Sequence, residues 1–321
     1  MYRGGINRMT KDYACKNPIL LLTYKRLDTT LRVFEAIREV KPKKLYLAQN
    51  SFRQESEREL VLNLRKALES RLDWECELHT LYREKYLSCK DSISSAITWF
   101  FENEEQGIIL EDDCLPNKSF FRFCDEMLER YKNNENIFMV SGWSALDFIP
   151  KQKALLQEDY YFSKYNHIWG WASWARVWKL YQKEFVDFEK EFSALKNWQS
   201  KKEQKYWHKI FRAYSQGAFD TWDYSFTYTI WKEQGLSIYP KNNMVQNIGF
   251  NRDDATNTKG DSKFAHMKVY ELQENIAHPK EIKQNRELDY KNFLISYELQ
   301  PFHTRVCNKL KRIARKLLKL S

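Results

Sequence analysis

A mixed α/β fold built on a mostly parallel central sheet is predicted by three features of this sequence. Short apolar runs alternate with amphipathic helical stretches through the first half. Alternation of that kind buries strands in a parallel sheet with helices on both faces. One of the apolar runs, Gly107 to Leu110, leads directly into three carboxylates, Glu111-Asp112-Asp113. In such sheets ligands bind outside the carboxyl ends of the strands, so the triplet stands where a site is expected.

The elements follow in order. Pro18 to Tyr24 reads as a buried strand, and Asp28 can cap a helix through about Val40, with Leu31, Phe34, Ile37 and Val40 at helical spacing. Lys44 to Ala48 is a second strand, followed by a charged amphipathic helix from about Gln54 to Leu72. Trp74 to Leu81 alternates as a third strand, and Lys90 or Asp91 starts a helix through Phe101. The fourth strand, Gly107 to Leu110, carries the acidic triplet. A helix from about Ser119 to Tyr131 and a fifth strand, Ile137 to Val140, complete this half. The second half is aromatic and polar with weaker periodicity. Asn166 to Trp178 and Asp220 to Trp231 are its dense stretches, the latter helical, and Ser237 to Tyr239 is a short strand. The expected division is a ligand-binding half (1–145), a second half packed on the same sheet (146–300) and a C-terminal helix (301–321).

The composition allows a large core, since 43% of residues are hydrophobic. The 11 Trp residues serve either packing or a ligand pocket. Net charge is +10, but seven Lys and Arg of residues 305–321 carry +7 of it, leaving +3 for the remainder. No nucleic-acid-binding core is needed to explain the total. The six cysteines show no CxxC or His/Cys spacing, so zinc is not expected. No run of 18 apolar residues exists, and Met1 to Lys16 lacks a signal-peptide apolar region; a cytoplasmic location with free thiols is the expectation. In residues 305–321, Val306, Leu310, Ile313, Ala314, Leu317 and Leu318 form one helical stripe opposite a basic face. That pattern fits a helix lying on an anionic membrane surface, or one docking on the protein body.

Three adjacent carboxylates after a buried strand repel one another unless a cation or hydrogen-bond donors neutralise them. In an extended segment Glu111 and Asp113 share a side. Carboxylate oxygens suit Mg2+ or Mn2+, which keep waters and substrate phosphates as further ligands. The alternative is a solvated loop. Asp223, flanked by aromatics at a helix start, is either a general base or a helix N-terminal acid held by the dipole, with Asp220 as a competing cap. Trp169, Trp171, Trp174 and Trp178 around Gly170 form either a sugar-stacking pocket or a core corner. Asn247 to Asn251 is a tight turn that closes over a ligand or is an ordinary loop. His167 reads as structural, and His266 and His278 are weak metal-ligand candidates.

Together these motifs resemble the N-acetylglucosaminyltransferase I-like family and its bacterial relatives. The resemblance rests on Pro18-Ile19-Leu20-Leu21-Leu22 leading to Lys25-Arg26, on Arg83 to Cys89 before a helix, on Ile108 to Asp113, on Val140-Ser141-Gly142-Trp143, on Trp169-Gly170-Trp171-Ala172 and on Trp222-Asp223. It spans roughly residues 18–250. It implies a GT-A fold, a nucleoside-diphosphate sugar donor, probed first as a UDP-sugar, a divalent metal, and inversion at the anomeric carbon. Asp113 would be the metal ligand, Glu111 and Asp112 would contact ribose or donor-sugar hydroxyls, and Asp223 would be the catalytic base. Arg26, Lys85, Trp169, Gly170 and Trp171 fall at donor-binding positions. Asn50 stands where the family often carries an Asp that reads uracil. The acceptor would be a glycan or lipid-linked hydroxyl. A sugar nucleotidyltransferase is the rival enzyme reading, disfavoured by the lack of glycines around Lys25-Arg26, and a non-catalytic membrane-peripheral carbohydrate-binding protein is the rival outside enzymes.

Overall fold

A computed structural model describes residues 13–196, 198–252 and 262–297. The C-terminal stripe of residues 305–321 and most of the 252–258 loop lie outside the described residues.

The first apolar run forms β1 (Ile19–Thr23), buried along its whole length. Its continuous rather than alternating hydrophobicity is what a strand covered on both faces needs. Helix α1 (Leu27–Val40) buries Val33, Phe34, Ile37 and Val40. Asp28 is not its cap: the helix starts after Arg26, and Asp28 lies in the first turn, paired with Arg252. Next come β2 (Lys44–Gln49), α2 (Arg58–Glu69), preceded by a 3-10 turn, and β3 (Glu77–Tyr82). Helix α3 (Cys89–Asn103) begins earlier than its apolar periodicity suggests, because Ser88 Oγ accepts from Asp91 N at 3.1 Å. Strand β4 (Gln106–Glu111) and the short β5 (Cys114–Pro116) flank the acidic turn. Helix α4 (Lys118–Tyr131), capped by Asn117, and β6 (Ile137–Ser141) close the first half.

The second half does more than pack on the sheet. After α5 (Pro150–Leu155) it contributes β7 (Tyr160–Ser163) and β8 (Trp171–Trp174). Short helices α6 (Ala175–Trp178) and α7 (Phe188–Ala194) precede α8 (Lys201–Ser215) and α9 (Asp223–Lys232). Strands β9 (Leu236–Pro240) and β10 (Val245–Asn247) and helix α10 (Arg286–Ser296) follow. The main sheet has the order β3-β2-β1-β4-β8-β6-β9-β7. Pairings β3-β2, β2-β1, β1-β4 and β6-β9 are parallel, while β8 is antiparallel to both neighbours and β7 to β9. One continuous sheet therefore crosses the boundary between the two halves. The aromatic stretch after Asn166 was expected as a corner or pocket, yet it supplies a central strand. Its Trp-rich run hides the period-2 signal because both faces of β8 are buried.

Candidate active site

The site forms where β1 and β4 end side by side. Their parallel register sets Leu22 opposite Glu111, so the turns leaving the two strands are adjacent. Arg26, from the turn after β1, thereby reaches the acidic triplet: its Nη1 lies 3.0 Å from Asp113 Oδ2 and 3.5 Å from Asp112 Oδ1. These two carboxylates and the guanidinium are largely withdrawn from solvent, and a charge-assisted contact there is stronger than one in water.

Glu111, at the end of β4, is the most strained electrostatically. Its Oε1 is buried and has no hydrogen-bond partner. Burial raises its pKa well above the ordinary glutamate range, and Asp113, Asp112 and Asp223 push it further, against Arg26. Asp113 is likewise raised by burial, opposed by Arg26. Arg26 thus opposes the burial that raises both groups.

A second ribbon folds over this turn. Strand β10 pairs antiparallel with β5, Asn247 opposite Cys114. Ile248 N donates to Asp113 O at 2.8 Å, and Gly249 N donates to Asn247 Oδ1 at 2.9 Å. Gly249 presses on the Asp113 carboxylate so closely that a Cβ there would lie 2.2 Å from Oδ2. The Asn247 to Asn251 turn is thus a wall of the acidic site. Gly249 is a site residue that spacing alone did not single out.

Asp223 arrives from the second half as the first residue of α9. Thr221 Oγ1 donates to its Oδ1, and the N–H groups of Asp223 and Tyr224 also favour its charged form. Burial outweighs them, so its pKa is raised. Asp223 is held at a helix N-terminus, and its charge is felt by Glu111. Cys89, at the start of α3, lies against the same group; burial, then Glu111, Asp220, Asp223 and Asp112, push its thiol up to about 12.

The other expected residues divide. Asn50 has another task than reading a base. Its Oδ1 accepts from Ser51 N at 2.9 Å and Leu87 N at 3.1 Å, and its Nδ2 donates to Leu87 O at 2.9 Å. It clamps the loop after β3 to the end of β2. Lys85 is exposed on that loop. Trp171 is fully buried, with its ring 5.6 Å from Trp222 and stacked at 26°, so it cannot offer a face to a sugar. Trp174 and Trp178 are buried too. The core-corner alternative holds for these three. Gly170 adopts φ +67, and a Cβ there would come within 2.8 Å of Val245. Trp169 alone of the four tryptophans is partly exposed, packed edge-on against Phe250 of the turn.

His167 is half-buried and stacked on Trp143 at 3.8 Å, with its Nδ1 enclosed and its pKa lowered to about 3 by desolvation, so its ring is neutral. His278 bonds Tyr160 and Glu126 on β7 and α4, and His266 is exposed. One further residue emerges from the fold: Arg83, directly after β3. With Thr23 and Gln49 it lines a small cavity at the carboxyl ends of β1 and β2, and its Nη2 donates to Ser95 Oγ at 2.6 Å. A cation immediately beyond a strand end was its signal in the sequence.

No group of three or more His, Cys, Asp or Glu side chains among the described residues is arranged as a complete metal centre. The donor set nonetheless fits a hard divalent cation. The buried Glu111 oxygen without a hydrogen-bond partner stands among hard carboxylate oxygens, and Mg2+ or Mn2+ typically takes only one or two protein carboxylates.

No protein-family model matches this sequence, and no curated protein matches it significantly. Among solved structures, the chain is similar to a mannosyltransferase from Pyrobaculum calidifontis in complex with GDP-Man and Mn2+, at 10% identity and TM-score 0.40, covering 69% of this chain and 70% of that one. It is similar to GalNAc-T7 with UDP, GalNAc and Mn2+, at 11% identity and TM-score 0.45, covering 72% of this chain but only 43% of that one. Mouse xyloside xylosyltransferase 1 in its apo form matches at 12% identity and TM-score 0.30, covering 67% and 81%.

Proposed function

We propose that this chain is a metal-dependent, inverting glycosyltransferase of the GT-A type. It would move a sugar from a nucleoside-diphosphate donor, with UDP-sugars as the first candidates, to a hydroxyl of a glycan or lipid-linked acceptor. The observation that carries the reading is the convergence of Asp223, from the second half, on the Glu111-Asp112-Asp113 turn at the carboxyl end of β4.

In this mechanism Asp113 would hold Mn2+ or Mg2+, and Glu111 and Asp112 would contact ribose or donor-sugar hydroxyls. When bound, the ion would supply charge compensation for the departing diphosphate. Arg26, 3.0 Å from Asp113 Oδ2, would share that carboxylate with the ion. Asp223 takes the proton from the acceptor hydroxyl. Its burial raises its pKa, which makes it a stronger base than an exposed carboxylate. Trp169, with its exposed part beside the Gly249 turn, is the tryptophan left to contact a sugar. Lys85 is exposed on the loop after β3, within the chain's donor half. The basic stripe of residues 305–321 would hold the enzyme on an anionic membrane surface, on the cytoplasmic face, a reading that rests on sequence pattern alone.

The test is a thermal-shift screen of UDP-, GDP-, CMP- and dTDP-sugars with and without Mn2+, since a ligand stabilises the native state according to its affinity and concentration. A metal-dependent shift with one nucleotide class supports the proposal, and its absence across all four sinks it. Asp223→Asn should then lower transfer about 10²–10⁴-fold while leaving donor binding intact. The acid limb of the wild-type kcat profile should lie above the ordinary aspartate range, because the base works only when ionised and burial raises its pKa. A carbohydrate-binding protein without catalysis would need exposed aromatic faces, and the burial of Trp171, Trp174 and Trp178 removes three of them.

A further inference from the structure

The loop between α8 and α9 carries a carboxylate that the mechanism above does not use. Asp220 lies 130 and 131 positions from the start of α3 in sequence, yet its Oδ1 accepts from Lys90 N and its Oδ2 from Cys89 N, each at 2.9 Å. Both are backbone groups of the first turn of α3. That helix has its own local cap in Ser88, so Asp220 is not needed to start it. The loop that bears Asp220 has few other ties. Gly217 adopts φ +74 with open space around it, and residues 216–220 are exposed. Three residues further on stands Asp223.

We propose that Asp220 is a positioning residue: it latches the loop before α9 to the N-terminus of α3 and so fixes Asp223 against the Glu111 turn. The role in catalysis rests on the glycosyltransferase reading; the latch itself does not. The chemistry suits it. Two parallel N–H donors on one carboxylate make a charge-assisted contact that also gains from the positive end of the α3 dipole. Two side-chain pairs tie the same turn of α3 to a different segment, the one between α6 and α7: Lys90 Nζ with Glu184 at 2.5 Å and Lys183 with Asp91. Those pairs join side chain to side chain, whereas Asp220 accepts from backbone. Geometry is where such a residue acts: a misplacement of about 1 Å in a reacting group can cost about 10²-fold in rate.

Cys89 reports on the latch, because its own N–H is one of the two donors and its partly buried thiol feels the Asp220 charge. Peptide-resolved iodoacetamide labelling of Cys89 at pH 8 is measured in the wild-type chain, Asp220→Ala and Asp220→Asn, beside donor affinity and kcat. Ala removes both acceptors, and Asn removes the charge but keeps one acceptor. The Ala variant should label about tenfold faster than wild type, a thiol freed of the Asp220 charge and of the latched loop being more ionised and more accessible. The Asn variant should stay within about a third of that increase. The Ala variant's kcat should fall about 10- to 100-fold with donor affinity within about twofold of wild type. Wild-type labelling of the Ala variant overturns the latch. So does equal labelling of the two variants, which would mean that charge alone matters. A wild-type chain that transfers no sugar sinks the function proposed above, and the labelling comparison still decides the latch.

Discussion

At the scale of single residues, the acidic site is defined as much by Gly249 as by the carboxylates it faces. Any side chain at that position collides with Asp113, whose carboxylate is already held by Arg26 and touched by Cys114. Gly249→Ala should therefore displace Asp113 with little change in the fold. The expected result is at least a tenfold weaker response to Mn2+ in thermal-shift titration, the order of loss seen when groups supporting a metal ligand are changed, about 10–100-fold. His167 allows a second check, on stability. Its folded-state pKa, near 3, lies below the usual value of 6.5. The stability linked to it is complete above pH 6.5 and is lost as pH falls toward 3, at up to about 1.4 kcal/mol per pH unit. His167→Phe keeps the stack on Trp143 and cannot ionise. Urea midpoints from pH 7 to pH 4.5 should fall less steeply for this variant than for wild type; parallel slopes would count against the neutral imidazole.

At the scale of elements, β8 and α9 act as a unit. Trp171 of β8 stacks on Trp222, and Trp222 precedes Asp223 and also contacts Phe226 of the same helix. The tryptophan run thus serves the site from behind, by holding the helix that presents Asp223. Trp171→Ala should cost roughly 3–5 kcal/mol in urea denaturation, as large core truncations do. A stacking role in donor binding would instead raise KM with stability preserved. The start of α3 shows why element boundaries escape sequence reading: the cap Ser88 is local, but Asp220, which bonds the same turn, comes from over a hundred residues away.

At the scale of the molecule, a single sheet joins the two halves, and the charge of Asp223, from the second half, reaches Glu111 at the carboxyl end of β4. No described helix is long and apolar enough to cross a membrane. If the basic stripe holds the chain on an anionic surface as proposed, deletion of residues 301–321 should abolish cosedimentation with vesicles of anionic lipid while sparing metal-dependent donor binding. Cosedimentation that survives the deletion would leave the stripe without that role.

Much of this molecule is legible in one dimension. Continuous apolar runs specify buried strands, helical spacing specifies the helices between them, and carboxylates directly after β4 mark a strand end where charge must be answered. These signals are local, because each depends on residues within a turn or a strand of one another. The aromatic half was not legible in this way: a Trp looks the same whether it faces a ligand or a core, and only packing placed Trp171 inside while Trp169 kept an exposed part. Tertiary structure also decided what Asn50, Gly249 and Asp220 do. Their partners Leu87, Asp113 and the first turn of α3 become neighbours only once the sheet has brought distant turns to one edge.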